Sequence, residues 1–252
     1  MMKFRYSEEF LPKAHCPTAD ISLCAVGEAY PKIQEALNKL GINIFSILSN
    51  EKLSKPVQSH ADLQLGLLGN DTLLVGKGER DLENRLRALE FTVYESTQKL
   101  SNQYLQEAQL DFLAIDDIFI GNSKIIDKEY LLKYSQINHV KQSYSKCNIA
   151  VVNDRALITA DPIIAKSCRI LGFDVLQIRP GYIELAPYDT GFIGGCCGLI
   201  AADCLAVCGD LSTHPDHKEI LTFLRKHHVS VQTLIDGPLQ DIGGIIPLKQ
   251  RR

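Results

Sequence analysis

The chain has 252 residues, 45% hydrophobic and 23% charged, the balance of an ordinary globular protein long enough to bury a core without staples. That excludes a disordered tail protein and a collagen-like repeat, and a net charge of -3 lacks the basic excess of a nucleic-acid binder. No apolar run reaches the ~20 residues of a membrane span. The opening MMKFRYSEEFLPKAHC has no signal-peptide core, so a cytoplasmic protein with 8 reduced cysteines is expected.

Taken in chain order, the predicted elements repeat. ISLCAVG reads as a strand, Pro31 opens a helix to Leu40, and Gly41 breaks it before the alternating strand Ile42-Asn43-Ile44. HADLQLGLLGNDTLLVG then reads as a hairpin turning at Asn70-Asp71. It is followed by a helix with Leu82, Leu86 and Leu89 on one face, a break at Glu90, and the strand Phe91-Thr92-Val93. LDFLAIDDIFIG turns at Asp116-Asp117. After it comes the weakest copy, YLLKYSQINHVKQS, preceded by Asp127 and broken near Gln136. CNIAVVNDRALITA turns at Asn153-Asp154-Arg155, Asp161-Pro162 caps a helix, and Gly172 breaks it before Phe173-Asp174-Val175. GFIGGCCGLIAADCLAVCG turns near Ala202-Asp203, Thr213 to Asp216 signal a helix start, and His228 breaks that helix before Val229-Ser230-Val231.

The unit is thus strand-strand-helix-strand, repeated five times at roughly 50 residues per copy. The first copy lacks a leading strand, and LQDIGGIIPL stands spare after the last helix and strand. The expectation is a C-terminal strand that pairs with residues 21–26 and closes a ring, which removes exposed sheet edges. One domain over residues 1–252 follows, with units at 241–248 plus 20–50, 57–97, 105–143, 144–185 and 187–236.

Five such units resemble the pentein fold, the five-fold pseudosymmetric α/β propeller of arginine and agmatine deiminases, dimethylarginine hydrolases and amidinotransferases. The strings HADLQL, KCNIAVVND, ALITAD, RPGYIEL, YDTGFIGG, GDLSTHPD and PLQDIGGIIPL resemble more closely a bacterial family of uncharacterised proteins with this fold, the DUF6873 type. The wider resemblance implies a Cys nucleophile, a His that shuttles protons, and carboxylates that hold a guanidinium by charge-assisted bonds. His60-Ala61-Asp62 matches the deiminases' HxD form, and on a strand His60, Asp62 and Gln64 would share one face. Two departures stand out. HxD comes late in those enzymes, and their Cys lies near the C-terminus after a Gly-rich stretch, where this chain has Gly243-Gly244-Ile245-Ile246-Pro247-Leu248.

In a pseudosymmetric ring Cys147 could stand in for that thiol. It opens a leading strand beside Lys146, whose charge would depress its pKa, and is followed by Asn148. Against this, free Cys is commonly a buried small hydrophobe. Asp189, Gly191 and Gly194 in DTGFIGG, and Asp241 with Gly243, occupy matching positions. Their glycines mark close backbone approach, and their carboxylates could face one cavity and a cationic small molecule. Arg179 and Glu184 could form a carboxylate clamp. Cys196, Cys197, Cys204 and Cys208 lack the paired spacing of a zinc site, and alternation sends Cys196 and Cys197 to opposite sheet faces, so no metal or cofactor is expected.

Two function classes remain. One is a hydrolase or transferase acting on a guanidinium or amidine-like carbon in an axial cavity. Its nucleophile would be Cys147, its acid/base His60, and its cation-holding carboxylates Asp62, Asp189 and Asp241. The other is a non-catalytic pentein that binds a ligand, a ribosome or a protein partner.

Overall fold

A computed structural model describes residues 7–252; the first six residues, part of the N-terminal stretch read for a targeting segment, lie outside it. Among the described residues no helix is long and apolar enough to cross a membrane.

The strands form five separate sheets. After β1 (Glu8–Phe10), the first unit holds β2 (Ile21–Gly27), α1 (Pro31–Lys39) and β3 (Asn43–Ile47). The second holds α2 (Ala61–Gln64), β4 (Gly66–Leu67), β5 (Thr72–Val75), α3 (Arg80–Arg87) and β6 (Thr92–Glu95). The third holds α4 (Tyr104–Glu107), β7 (Leu113–Ile115), β8 (Ile118–Gly121), α5 (Lys128–Leu131) and β9 (Gln136–His139). β10 (Ile149–Asn153), β11 (Ala156–Thr159), α6 (Pro162–Ile170) and β12 (Asp174–Gln177) make the fourth. β13 (Cys197–Ala201), β14 (Cys204–Val207), α7 (His217–Lys226) and β15 (Ser230–Thr233) make the fifth, and β16 (Ile246–Arg251) ends the chain.

Every unit repeats one hydrogen-bonding scheme: the leading strand runs antiparallel to the second, which runs parallel to the third across the helix. The first unit takes its leading strand from the other end of the chain. β16 pairs antiparallel with β2, Ile246 opposite Ala25 and Gln250 opposite Ile21, as the spare C-terminal strand implied. An unforeseen strand, β1, then covers the outer edge of β16.

Burial grades outward across each sheet. The leading strands are almost wholly buried and touch one another, β4 against β7, β10 against β13, and β13 against β16, whereas the third strands are mostly half-buried or exposed. The leading strands therefore surround the axis, and whatever precedes each of them is delivered there.

The helix breaks have a common cause. Gly41, Glu90, Gly172 and His228 all take a left-handed backbone, with φ of 79°, 70°, 85° and 59°. The third unit departs from this. Its helix ends at Leu131, and Gln136, expected near the break, is already the first residue of β9. Two caps also differ from expectation. Asp161 accepts from the Ile163 and Ile164 amides as its sequence implied. Thr213 instead lies in a 3-10 turn capped by Asp210, and α7 begins only at His217.

A left-handed residue with a Cβ costs about 1 kcal/mol relative to glycine. Glu90→Gly and His228→Gly are each expected to stabilise the fold by about that amount. Gly172→Ala, where a Cβ meets nothing within 4 Å, should destabilise it similarly. Chemical denaturation of the three variants checks both signs.

Candidate active site

The segments entering the leading strands place polar side chains on the axis. Asp111 stands two residues before β7, Cys147 two before β10, His60 and Asp62 just before β4, and Asp241 just before β16. All five are buried: His60 and Asp62 are 1% exposed, and Cys147 is 3% exposed.

The local backbone of His60–Gln64 differs from the expected strand. Ala61–Gln64 is a helical turn closed by the Leu65 amide on the Ala61 carbonyl, and the strand proper is Gly66–Leu67. The cause is tertiary: the Asp62 amide donates to the Gly243 carbonyl at 3.2 Å, and a Cβ on Gly243 would lie 2.5 Å from the His60 Cα. The bare C-terminal glycine thus lets the second unit fold tightly over the first. Gln64, expected on the same face as His60 and Asp62, instead donates to the Leu48 and Gln58 carbonyls.

Cys147 lies in a turn rather than in β10. Its thiol donates to Asp62 Oδ2 at 2.7 Å, and its amide donates to Asp111 Oδ1 at 2.9 Å. Ligand atoms of His60, Asp62 and Cys147 lie within 4.8 Å of one another. His60 Nε2 shares a hydrogen bond of 3.0 Å with the Tyr30 hydroxyl, and its Nδ1 lies 3.8 Å from Asp241 Oδ1. Sequence reading brought Cys147, His60, Asp62 and Asp241 together; it passed over Asp111, Tyr30 and Lys146 in its own right.

Each carboxylate is occupied differently. Both Asp241 oxygens accept backbone amides, from Phe192 at 2.8 Å and Gly243 at 3.0 Å. Asp62 Oδ1 and Asp111 Oδ2 are buried without a hydrogen-bond partner among the described residues. The Lys146 ammonium donates to the Gly194 carbonyl at 2.9 Å.

The electrostatics follow from crowding. Burial pushes the Cys147 thiol well above its ordinary value, and Asp241, Asp62 and Asp111 add to that; Lys146 pulls the other way and is outweighed. The expected thiolate-favouring effect of Lys146 is therefore present but reversed in sum. Burial also raises the Asp111 carboxyl, with the Asp62 charge beside it as the next cause, and burial raises Asp241. Lys146 shows the mirror image. Burial opposes its charge, but Asp62, Cys147, Cys197 and Asp111 hold its pKa above the usual value.

The remaining sequence candidates fall around this cluster. Asn148 donates its side-chain amide to the Tyr144 carbonyl at 2.7 Å. Gly191 packs against the Asp241 side chain, and Gly194 against the Lys146 and Ile149 carbonyls. Asp189 is exposed, and it lines with Asp241 and Tyr30 a cavity of about 800 Å³. That cavity stops short of the thiol: the expected axial cavity is closed at the level of His60, Asp62 and Cys147. Arg179 pairs with Asp216 at 2.5 Å and forms no clamp with Glu184. Cys196 closes a 3-10 turn rather than alternating with Cys197 on a strand, and both thiols donate to the Ile193 carbonyl at 3.1 Å.

Five strand-strand-helix-strand units around an axis bearing cysteine, histidine and carboxylates define a pentein-type α/β propeller. The chain belongs to a family of unknown function, DUF6873, whose model matches residues 25–246. No curated protein matches it. Solved structures show the fold. An inosamine-phosphate amidinotransferase from Streptomyces griseus aligns with a TM-score of 0.59 at 12% identity, covering 95% of this chain and 97% of that one. An amidinotransferase of the saxitoxin pathway from Microseira wollei gives 0.58 at 9%, covering 96% and 97%. A mutant DDAH from Pseudomonas aeruginosa complexed with citrulline gives 0.54 at 10%, covering 92% and 100%.

A buried carboxyl of raised pKa with a partnerless oxygen costs stability that an amide does not. Asp111→Asn keeps an acceptor for the Cys147 amide and offers a donor toward Asp62. It is expected to stabilise the fold by roughly 1–2 kcal/mol, measured by denaturant unfolding near neutral pH.

Proposed function

We propose that the axial cluster binds a planar organic cation of the guanidinium or amidinium type and acts on its central carbon. The observation that carries this reading is the half-used pair of carboxylates: Asp62 and Asp111 each spend one oxygen on Cys147 and keep the other buried and free. A guanidinium presents several N–H donors around an electrophilic carbon and a positive charge. It would satisfy both free oxygens at once and bring that carbon beside the Cys147 sulfur.

The chemistry follows from these positions. The thiol proton passes to Asp62 or His60 as sulfur bonds to the central carbon. The bond from that carbon to the leaving amine breaks as the amine nitrogen takes a proton from His60. Water, for hydrolysis, or a second amine, for transfer, then gives a proton to His60 as it adds to the carbon and displaces the sulfur, which recovers a proton from the cluster. Burial raises the thiol's pKa, and a bound cation would pull it down. Asp241, held by two amides, fixes the His60 side of the site, and the carboxylates named from sequence, Asp62, Asp189 and Asp241, act with Asp111. The alternative, a ligand-binding pentein without catalysis, draws support from the closure of the site over the thiol.

The neutral 2-chloroacetamide and the cationic 2-chloroacetamidine carry the same alkylating carbon and differ in charge. Peptide mass spectrometry after timed exposure of the full chain should show Cys147 labelled at least roughly ten-fold faster by the cation, the worth of one charge-assisted hydrogen bond. Asp62→Asn and Asp111→Asn should narrow the preference. Equal rates for the two reagents would remove the cation receptor. A cation preference without ammonia or amine release from any guanidine would leave the non-catalytic reading standing.

A further inference from the structure

On the proposed reading, the axial cluster takes the substrate's head group. A larger substrate must leave its remainder elsewhere, and of the two cavities that Tyr30 lines, the one of about 800 Å³ also reaches Asp241 and so abuts the cluster. Its wall includes Asp241, whose carboxylate is 3.8 Å from His60, and Tyr30, whose hydroxyl is 3.0 Å from the other His60 nitrogen. One side chain thus separates the cavity floor from the reacting groups.

The chemistry of the wall is one-sided. The exposed Glu184 and Asp189 line it together with Tyr30, Tyr182 and Tyr188, Asp241 lies at its wall with its side chain buried, and among the described residues no Lys, Arg or His lines it. No ion pair among the described residues neutralises Glu184 or Asp189. The strap that carries them is not loose. The Glu184 amide donates to the Leu239 carbonyl at 2.8 Å, the Asp241 amide donates to the Glu184 carbonyl at 2.9 Å, and the Gly191 amide donates to the Ile183 carbonyl at 2.7 Å. The carboxylates and tyrosine rings are therefore presented by a wall fixed to the same segment that places Asp241. Outside the cavity's lining, the partnerless Asp62 Oδ1 independently marks the axial cluster as lacking a hydrogen-bond donor.

We infer that this cavity is the subsite for the substrate's tail, and that it selects a tail bearing a second positive charge and rejects one ending in a carboxylate. The inference rests on the proposed function for the head group and adds the charge of the rest of the molecule. Carboxylates attract an ammonium and the tyrosine faces add cation–π attraction, while an anionic tail meets the like charges of Glu184 and Asp189 with no cation among the lining residues to receive it.

Three competitors test it against 2-chloroacetamidine labelling of Cys147 in the full chain: guanidinium ion, 4-guanidinobutylamine, and 4-guanidinobutanoate. The last two have equal chain length and opposite tail charge. The amine is expected to protect Cys147 at a concentration at least roughly ten-fold below that of the acid. The ratio should shrink in Asp189→Asn and Glu184→Gln and at high salt. Equal protection by the two tailed compounds, with guanidinium protecting, overturns the tail inference alone. Failure of all three to protect removes the head-group reading. A ratio that persists unchanged in both variants overturns the assignment to this cavity.

Discussion

Pairing of Ile246–Arg251 with Ile21–Gly27 is the constraint on which the rest depends. A chain of four complete units and one incomplete unit has an open sheet edge and an unfilled axis. Antiparallel addition of the last strand supplies the missing leading strand, and β1 then covers what would be its free edge. The same pairing drags residues 241–244 onto the axis. Gly243 accepts the Asp62 amide there and donates its own amide to Asp241, so the geometry around His60 is set by a segment nearly two hundred residues away. Closure and site assembly are one event.

What closure gathers is electrostatically unfavourable. Three buried carboxyls and a thiol face one ammonium, and burial with mutual repulsion raises the pKa of Asp111, Asp241 and Cys147. Hydrogen bonds relieve Asp241 fully, but Asp62 and Asp111 only by half. A core selected for stability alone would fill such positions with amides or apolar side chains. Free carboxylate oxygens beside a thiol are the feature on which the proposed cation site rests.

The architecture was readable because its determinants are local. Glycines and turn-tolerant Asn and Asp mark helix ends and hairpins, and two-residue alternation marks strands that are half exposed. Even Glu90 and His228, which lack glycine's freedom, betrayed their left-handed backbone by standing where Gly41 and Gly172 stand in sister units. The site was legible only in part, because its determinants are tertiary. His60–Gln64 has a strand-like pattern and was bent into a helical turn by Gly243, a contact no local rule contains. Asp111 was overlooked since an Asp before LDFLAI looks like ordinary turn punctuation. Its offset of two residues from β7, the same as that of Cys147 from β10, was the available signal.

The absence of a thiol from the C-terminal stretch also acquires a steric reason. A side chain at Gly243 would strike His60, and one at Gly244 would come 2.6 Å from the Lys146 ammonium, so both places on the axis are already filled from other units. Pseudosymmetry makes the five entries to the axis interchangeable in principle, but their combined volume is fixed. Once His60 enters from the second unit and Lys146 from the fourth, the C-terminal entry must be bare backbone. The thiol that reaches Asp62 is the one adjoining Lys146, Cys147. The position of Cys147 beside Lys146 and the bare backbone at Gly243 and Gly244 are therefore two sides of a single packing solution.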